Sequence, residues 1–365
     1  LLIFVHFLLK LIGKLKKAFE IIFRFFASVN EHTMLRMDDL IANFTQQLKR
    51  AIEIGEAARL RKNKVPFRNV LVSGLGGSGI GGTIISNVLR DDLSIPLIVN
   101  KEYQIPAFVN ESTLVIISSY SGNTEETLSA MMQAAKKGAH IVCITSGGLI
   151  KEYAELNKMD VIQIDGGMPP RSCLGLSFVQ LLYVLHYLDL IKDGFKENLK
   201  RSIDRLDGEQ EEIRAIARTY AKRLHGKIPV IYSDAAYEGV SIRFRQQINE
   251  NSKMLCWHHV LPEMNHNELV GWVENNDDIA VIFLRNANDF ERTQERIEFT
   301  KSVVKSFAGD VMELFSKGDT DIERSLYLIH VCDWISYYLS ELHEVDAIEV
   351  NVITKLKNKL AETPF

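Results

Sequence analysis

Three short polar clusters hold residues that a hydrophobic core would not select. Pro169-Pro170-Arg171-Ser172 places one arginine at the end of an extended segment, just before an apolar helical stretch. Gln247-Ile248-Asn249-Glu250-Asn251-Ser252-Lys253 crowds polar residues into the C-terminal end of a helix. Glu263-Met264-Asn265-His266-Asn267-Glu268 is a loop with a lone imidazole among acids and amides. Taken singly, each is an ordinary solvated surface. Taken together they suit one kind of chemistry, the movement of a carbonyl between C1 and C2 of a sugar. That reaction needs a carboxylate to carry a proton between neighbouring carbons. It needs a cation or donors for the enediolate charge, and an acid–base pair to open the ring. Glu250, Arg171 and His266 have the right chemistry for those roles in turn.

Upstream lie two segments fit to hold an anion. Ser73-Gly74-Leu75-Gly76-Gly77-Ser78-Gly79 and Ser118-Ser119-Tyr120-Ser121-Gly122-Asn123-Thr124-Glu125-Glu126 each follow a buried strand and open a helix. Free amides point outward at such a place, and the helix dipole favours negative charge. In an open parallel sheet both loops lie outside the carboxyl ends of the strands, where they can reach one phosphate. Gly74 to Gly79 also satisfies GxGxxG, and Glu102 falls roughly where a dinucleotide fold keeps its ribose acid. The second loop separates the readings. Its hydroxyls, Ser119, Tyr120, Ser121 and Thr124, beside a glycine suit a compact phosphomonoester, joined by Gly77 and Ser78. The plainest alternative is a pair of strand-to-helix turns with N-caps, as at Thr124 to Thr127.

The elements that carry these loops alternate along the chain. Residues 38–60 have amphipathic helical spacing. Strands are expected at RNVLVS, IPLIVN, STLVIISS, AHIVCITS and MDVIQI, with helices at GIGGTIISNVLR and after Thr124. A helical stretch follows from about 175 to 225, first apolar and then charged. The alternation then restarts with KIPVIYSD, EGVSIRFRQQINENSK, DDIAVIFLRN, FERTQERIEFTKSVVKSF, DVMELFS and a long closing helix, DIERSLYLIHVCDWISYYLSEL. The pattern predicts an α/β protein with parallel sheets covered on both faces. It forms two successive three-layer units, over residues 34–225 with a helical connector and 226–365 with the C-terminal helices.

Composition bounds the partners. A net charge of −4 over 365 residues leaves no footprint for nucleic acid, so an anionic substrate must be held locally. The four cysteines, Cys143, Cys173, Cys256 and Cys332, form no CxxC and read as reduced core thiols of a cytoplasmic protein. His258, His259 and His266 are close in sequence but lack carboxylate–histidine zinc spacing, so no metal is expected. Residues 1–33 mix basic and apolar residues. The uncharged run before Lys10 is 9 residues, about half of what a spanning helix needs. The segment is read as an extension outside the fold, with Met34 or Met37 as the natural start and no membrane partner.

The segments GLGGSGIGG, SSYSGNTEETL, PPRSCLG, QINENSK and PEMNHNELVGW, in this order, resemble the bifunctional phosphoglucose/phosphomannose isomerase family, a branch built on sugar-isomerase (SIS) domains. The resemblance runs from about residue 38 to the C-terminus. It implies two flavodoxin-like SIS domains in tandem, metal-independent and cofactor-free, acting on glucose 6-phosphate and mannose 6-phosphate. It implies Ser78, Ser119, Ser121 and Thr124 at the phosphate, Glu250 as base, Arg171 at the enediolate and His266 in ring opening. His266 would come from the neighbouring subunit of a homodimer. A lysine on the last helix is also implied, Lys357, with Lys355 as the fallback. Here the chain departs from the pattern, reading Glu344-Val345-Asp346-Ala347 where related sequences have Gly-Val-Asp-Pro. The alternatives are another SIS phosphosugar isomerase or a non-catalytic phosphosugar-binding regulator. A regulator would have no need of Glu250 together with His266.

Overall fold

A computed structural model describes residues 35–363. The expectation for residues 1–33 lies outside the described residues. Five parallel strands form the first sheet: β1 (Asn69–Ser73), β2 (Leu97–Asn100), β3 (Thr113–Ser118), β4 (His140–Thr145) and β5 (Asp160–Gln163), in spatial order β2-β1-β3-β4-β5. Four more make the second: β6 (Ile228–Asp234), β7 (Trp257–Leu261), β8 (Asn276–Arg285) and β9 (Ala308–Phe315), in the order β7-β6-β8-β9. The second strand of each unit lies outside the first, so the strand order reverses between β1 and β3 and again between β6 and β8. Both sheets therefore have the flavodoxin-type switch point beside which ligands bind.

The helices are α1 (Met37–Ala42), α2 (Phe44–Ala57), α3 (Gly76–Val88), α4 (Glu125–Lys136), α5 (Gly148–Leu156) and α6 (Leu174–Tyr187). They continue with α7 (Phe195–Gly208), α8 (Gln210–Leu224), α9 (Glu238–Ser252), α10 (Glu291–Val304), α11 (Asp321–Leu342) and α12 (Asn351–Ala361). Alternation along the strands explains the layering, because successive side chains point to opposite faces. Val70 and Val72 enter one core while Leu71 enters another, with α4 and α5 over it. In the second sheet Ile231 shares the core of Val70 and Val72, whereas Val230 and Tyr232 pack under α10. The inner faces of both sheets thus share a single core filled by α2, α3, α6 to α9 and α11. The two halves are fused through this helical layer.

Several expected elements differ in detail. The helix expected over 38–60 breaks at Asn43, whose Nδ2 donates to the Asp39 carbonyl at 2.8 Å. The stretch from 175 to 225 is three helices, with Asp189 in the left-handed region (φ 61°) after the first. Strand β7 and helix α5 carry no strong periodic signal and appear only in the structure. WHHVL is a short edge strand with two histidines, and α5 is nine residues long.

Candidate active site

The first anion loop closes on glycine for a steric reason. A Cβ at Gly79 would lie 2.1 Å from the Gly74 carbonyl oxygen, so only glycine lets the chain turn from β1 into α3. A Cβ at Gly77 would lie 2.7 Å from the Pro170 oxygen and 2.9 Å from Arg171 Cα. Gly77 therefore lets the Arg171 turn approach the start of α3, just ahead of the first helical bonds, which run from Ser78 N and Gly79 N to the Leu75 carbonyl at 3.1 Å each. The second loop is bonded directly to the first. Tyr120 N donates to Ser78 Oγ at 2.9 Å, and Ser118 Oγ donates to the Ser78 carbonyl at 2.9 Å. Gly122 takes a φ of +68°, and a Cβ there would strike the Gly147 oxygen at 1.7 Å.

The hydroxyls of the second loop divide into two kinds. Ser121 is exposed and Thr124 half-buried. Ser119 is buried and donates to Thr124 Oγ1 at 3.1 Å. Tyr120 is committed within the protein: its phenol accepts from Met168 N at 3.1 Å, and burial pushes its pKa up. The part of Tyr120 that serves the loop junction is its backbone amide.

Arg171 sits in a 3-10 turn (Pro170–Ser172) whose shape is held by Ser172 Oγ donating to the Pro169 carbonyl at 2.8 Å. The guanidinium is buried, at 4% exposure. Nε donates to Asn251 Oδ1 at 2.7 Å, and Nη2 donates to the carbonyls of Ala347 and Ile348. Nη1 lies 3.5 Å from Glu250 Oε2. Burial lowers the Arg171 pKa, and the Glu250 charge opposes that shift. Glu250 lies in the last turn of α9 and keeps partial access to solvent. Just beyond it, Lys253 takes a left-handed conformation (φ 57°) and closes the helix. Its ammonium donates to the carbonyls of Asp346 and Glu349 at 2.8 Å each. Two cations thus clasp the segment 346–349, and the Ala347 that replaces the pattern's proline supplies one of the clasped carbonyls.

Gly77, Ser78, Ser119 to Thr124, Arg171 and Glu250 therefore form one continuous region. Two expected residues stand outside it. His266 ends a 3-10 turn (Glu263–His266) after β7 and is exposed. Its neighbours pin the loop: Asn265 Nδ2 donates to Thr300 Oγ1 at 2.8 Å, and Asn267 Nδ2 donates to Glu263 Oε1 at 3.0 Å. Lys355 and Lys357 lie on α12, which buries no residue. Among the described residues, neither the His266 nor the Lys357 side chain has a hydrogen-bond or ion-pair partner. No group of three or more His, Cys, Asp or Glu that could hold a metal is found among the described residues, and no helix there is long and apolar enough to cross a membrane. Sequence reasoning flagged the polar cluster holding Gln247 and Asn251 but gave them no role behind Arg171, and it missed Arg243, Asp333 and Ser336 altogether. A signal was present, since Asp333 is a lone acid within the apolar run LIHVCDWISYYL.

Two flavodoxin-type sheets with a hydroxyl-rich cradle at the switch point of the first define a protein of the sugar-isomerase, or SIS, class. Residues 213–360 match the family described as the bacterial phospho-glucose isomerase C-terminal SIS domain. The structure of tagatose-6-phosphate ketose/aldose isomerase from Escherichia coli shares the fold, with a TM-score of 0.63 at 12% identity over 87% of this chain and 95% of that one. The bifunctional phosphoglucose/phosphomannose isomerase of Caldicellulosiruptor bescii is 38% identical over 336 residues, 89% of this chain and 99% of its own. The protein of the same name from Aquifex aeolicus is 36% identical over 307 residues, covering 82% and 93% of the two chains. The chain belongs to the bifunctional phosphoglucose/phosphomannose isomerase family.

Proposed function

We propose that this chain interconverts glucose 6-phosphate and mannose 6-phosphate with fructose 6-phosphate. The observation that carries the reading is the buried Arg171 guanidinium 3.5 Å from Glu250, beside the junction of the two anion loops. Ser78, Ser119, Ser121 and Thr124 would hold the phosphate, with the Gly77 region of α3 adding amides and dipole. The opened sugar then extends toward Glu250. Its carboxylate takes the C2 proton, the C–H electron pair forms the C1–C2 double bond, and negative charge settles on O1. Arg171 Nη1 faces that charge, because its other donors are already engaged. Glu250 returns the proton to C1 while the O2 proton passes to O1, giving the ketose. C2 is planar in the enediolate, so both epimeric aldoses converge on one intermediate.

His266 is exposed in the single chain, which supports its donation to the site of a neighbouring subunit in a two-fold homodimer. Lys357, on the fully exposed α12, would complete the site. The two units would divide near residue 226, and four buried, unpaired thiols favour a cytoplasmic setting.

The test of the activity is an isomerase assay of the purified chain on both aldose phosphates with EDTA present. Turnover of both supports the reading, and turnover of neither ends it. The shared site is tested by co-refolding Glu250→Gln with His266→Ala chains. Each mixed dimer then has one doubly damaged site and one intact one, so about a quarter of all sites recover with random pairing. Activity no higher than the mean of the two parents would place His266 in its own chain's site.

A further inference from the structure

Arg171 belongs to the first half of the chain, yet the groups that fix its guanidinium come from the second. Nε donates to Asn251 Oδ1 at 2.7 Å, and Asn251 Nδ2 donates to Ser336 Oγ at 3.0 Å. Ser336 Oγ gives its one hydrogen to the Asp333 carbonyl at 2.7 Å, so toward Asn251 it can only accept. That fixes the amide, with nitrogen toward Ser336 and oxygen toward Arg171. A second connection holds the backbone of the same arginine. Arg243 Nη2 donates to the Arg171 carbonyl at 3.1 Å and to Asp333 Oδ2 at 2.6 Å. Gln247 Nε2 donates to Asp333 Oδ1 at 3.0 Å.

The cluster is costly where it lies. Asn251 and Ser336 are 0% exposed, Gln247 2%, Arg243 3% and Asp333 6%. Burial raises the Asp333 pKa, and Arg243 opposes the rise. Buried ion pairs of this kind add little to stability over apolar residues of equal volume. What the cluster does supply is direction. An arginine has several rotatable bonds; the Ala347 and Ile348 carbonyls hold one edge of its planar fork at Nη2, and Asn251 holds Nε. With both held, Nη1 is left toward Glu250.

We infer that Asn251, oriented by Ser336 and anchored beside Asp333, is a positioning residue that aims the Arg171 guanidinium at the reacting oxygen. The inference rests on the proposed role of Arg171 at the enediolate. Its consequence is that the second half controls the electrophile of the first through the α9–α11 packing.

A double-mutant cycle tests it. Asn251→Ala and Ser336→Ala are each assayed alone and combined with Arg171→Lys, with kcat and KM measured separately. Arg171→Lys is expected to lower kcat about 100-fold, since a point charge does not replace the planar fork. Asn251→Ala should lower kcat about tenfold to 100-fold, the scale of a displaced catalytic group, with KM within about twofold. Ser336→Ala should cost about threefold in kcat. In the Arg171→Lys background neither change should lower kcat by more than about twofold. Effects that multiply in full would overturn the positioning role and leave Arg171's role standing. A normal kcat in Arg171→Lys alone would overturn the assignment beneath it, and the inference with it. If Asn251→Ala fails to fold, Ser336→Ala completes the cycle, because it deletes a single oxygen and leaves Asn251 in place.

Discussion

The two sheets share a strand order but treat the space at their switch points in opposite ways. After β1 and β3 the chain offers glycines and hydroxyls, and the neighbouring helices α3 and α4 begin without side-chain caps. After β6 and β8 it offers carboxylates. Asp234 Oδ1 accepts from Ala236 N at 2.7 Å, and Asp289 Oδ2 accepts from Asn286 N at 3.1 Å. The second half thus carries its own anions at the place where the first leaves amides and hydroxyls for a ligand. Its proposed contribution to chemistry comes from the far end of α9, where Glu250 meets Arg171. A shared strand order therefore does not bring a shared cradle. On the proposed reading, one unit binds by the start of its helix and the other acts from the end of its helix.

The sharpest break of this comparison is Glu250→Gln, which removes the second half's proposed base and leaves the first half's loops alone. Turnover should fall by about 10² to 10⁴, the range typical of a positioned general base, while sugar-phosphate binding persists. Turnover within about tenfold of the parent would remove Glu250 from the role.

A smaller effect comes from giving the first cradle the second one's chemistry. Thr124 occupies the N-cap of α4 in an extended conformation, and aspartate suits that position as well as threonine does. Thr124→Asp should therefore fold normally while adding an anion beside the proposed phosphate site. KM for sugar 6-phosphates should rise roughly tenfold to 100-fold, with solvent screening setting the lower end. An unchanged KM would mean that the phosphate sits elsewhere.

The smallest effect concerns the second switch point and leaves catalysis untouched. Burial, with the Asp234 charge adding to it, raises the Asp289 carboxyl from 3.8 to about 6. A group whose folded pKa is raised favours the fold while it is protonated. That contribution is complete below about pH 4 and is lost as pH climbs through about 6. Asp289→Asn keeps an oxygen for the Asn286 amide without the charge. Its thermal midpoint should match the parent near pH 4 and exceed it at pH 8, with a ceiling of about 3 kcal/mol. A difference that stays constant with pH would show that Asp289 is not held away from water in this way. Isomerase activity should change by less than about twofold.

The parts of the molecule legible beforehand share a local physical cause. The strands running into GLGGSG and SSYSGNT show themselves by unbroken apolar runs ending in glycine or hydroxyl residues, and both form as expected. Glu250 and Arg171 are conspicuous as polar residues beside apolar elements. Strand β7 was not legible, because an edge strand of five residues with two histidines has neither the length nor the alternation that marks a strand. Asn251 and Ser336 were not legible as partners either. They are 85 positions apart, and only the packing of α9 on α11 brings their side chains within hydrogen-bond distance.

By itself the sequence determined two α/β units, the loops with the chemistry to hold a phosphate, and the residue types able to move a proton beside a carbonyl. Those features follow from periodicity, turn chemistry and side-chain charge, all of which act within a few residues. Only the tertiary structure decided that the two units share one core, that the Tyr120 phenol is committed inside the protein, and that Arg171 of one half faces Glu250 of the other. These outcomes depend on which buried groups can satisfy one another across the helical layer. A buried guanidinium keeps its charge only where acceptors surround it, and its acceptors here, Asn251 and the carbonyls of Ala347 and Ile348, all come from the second half of the chain.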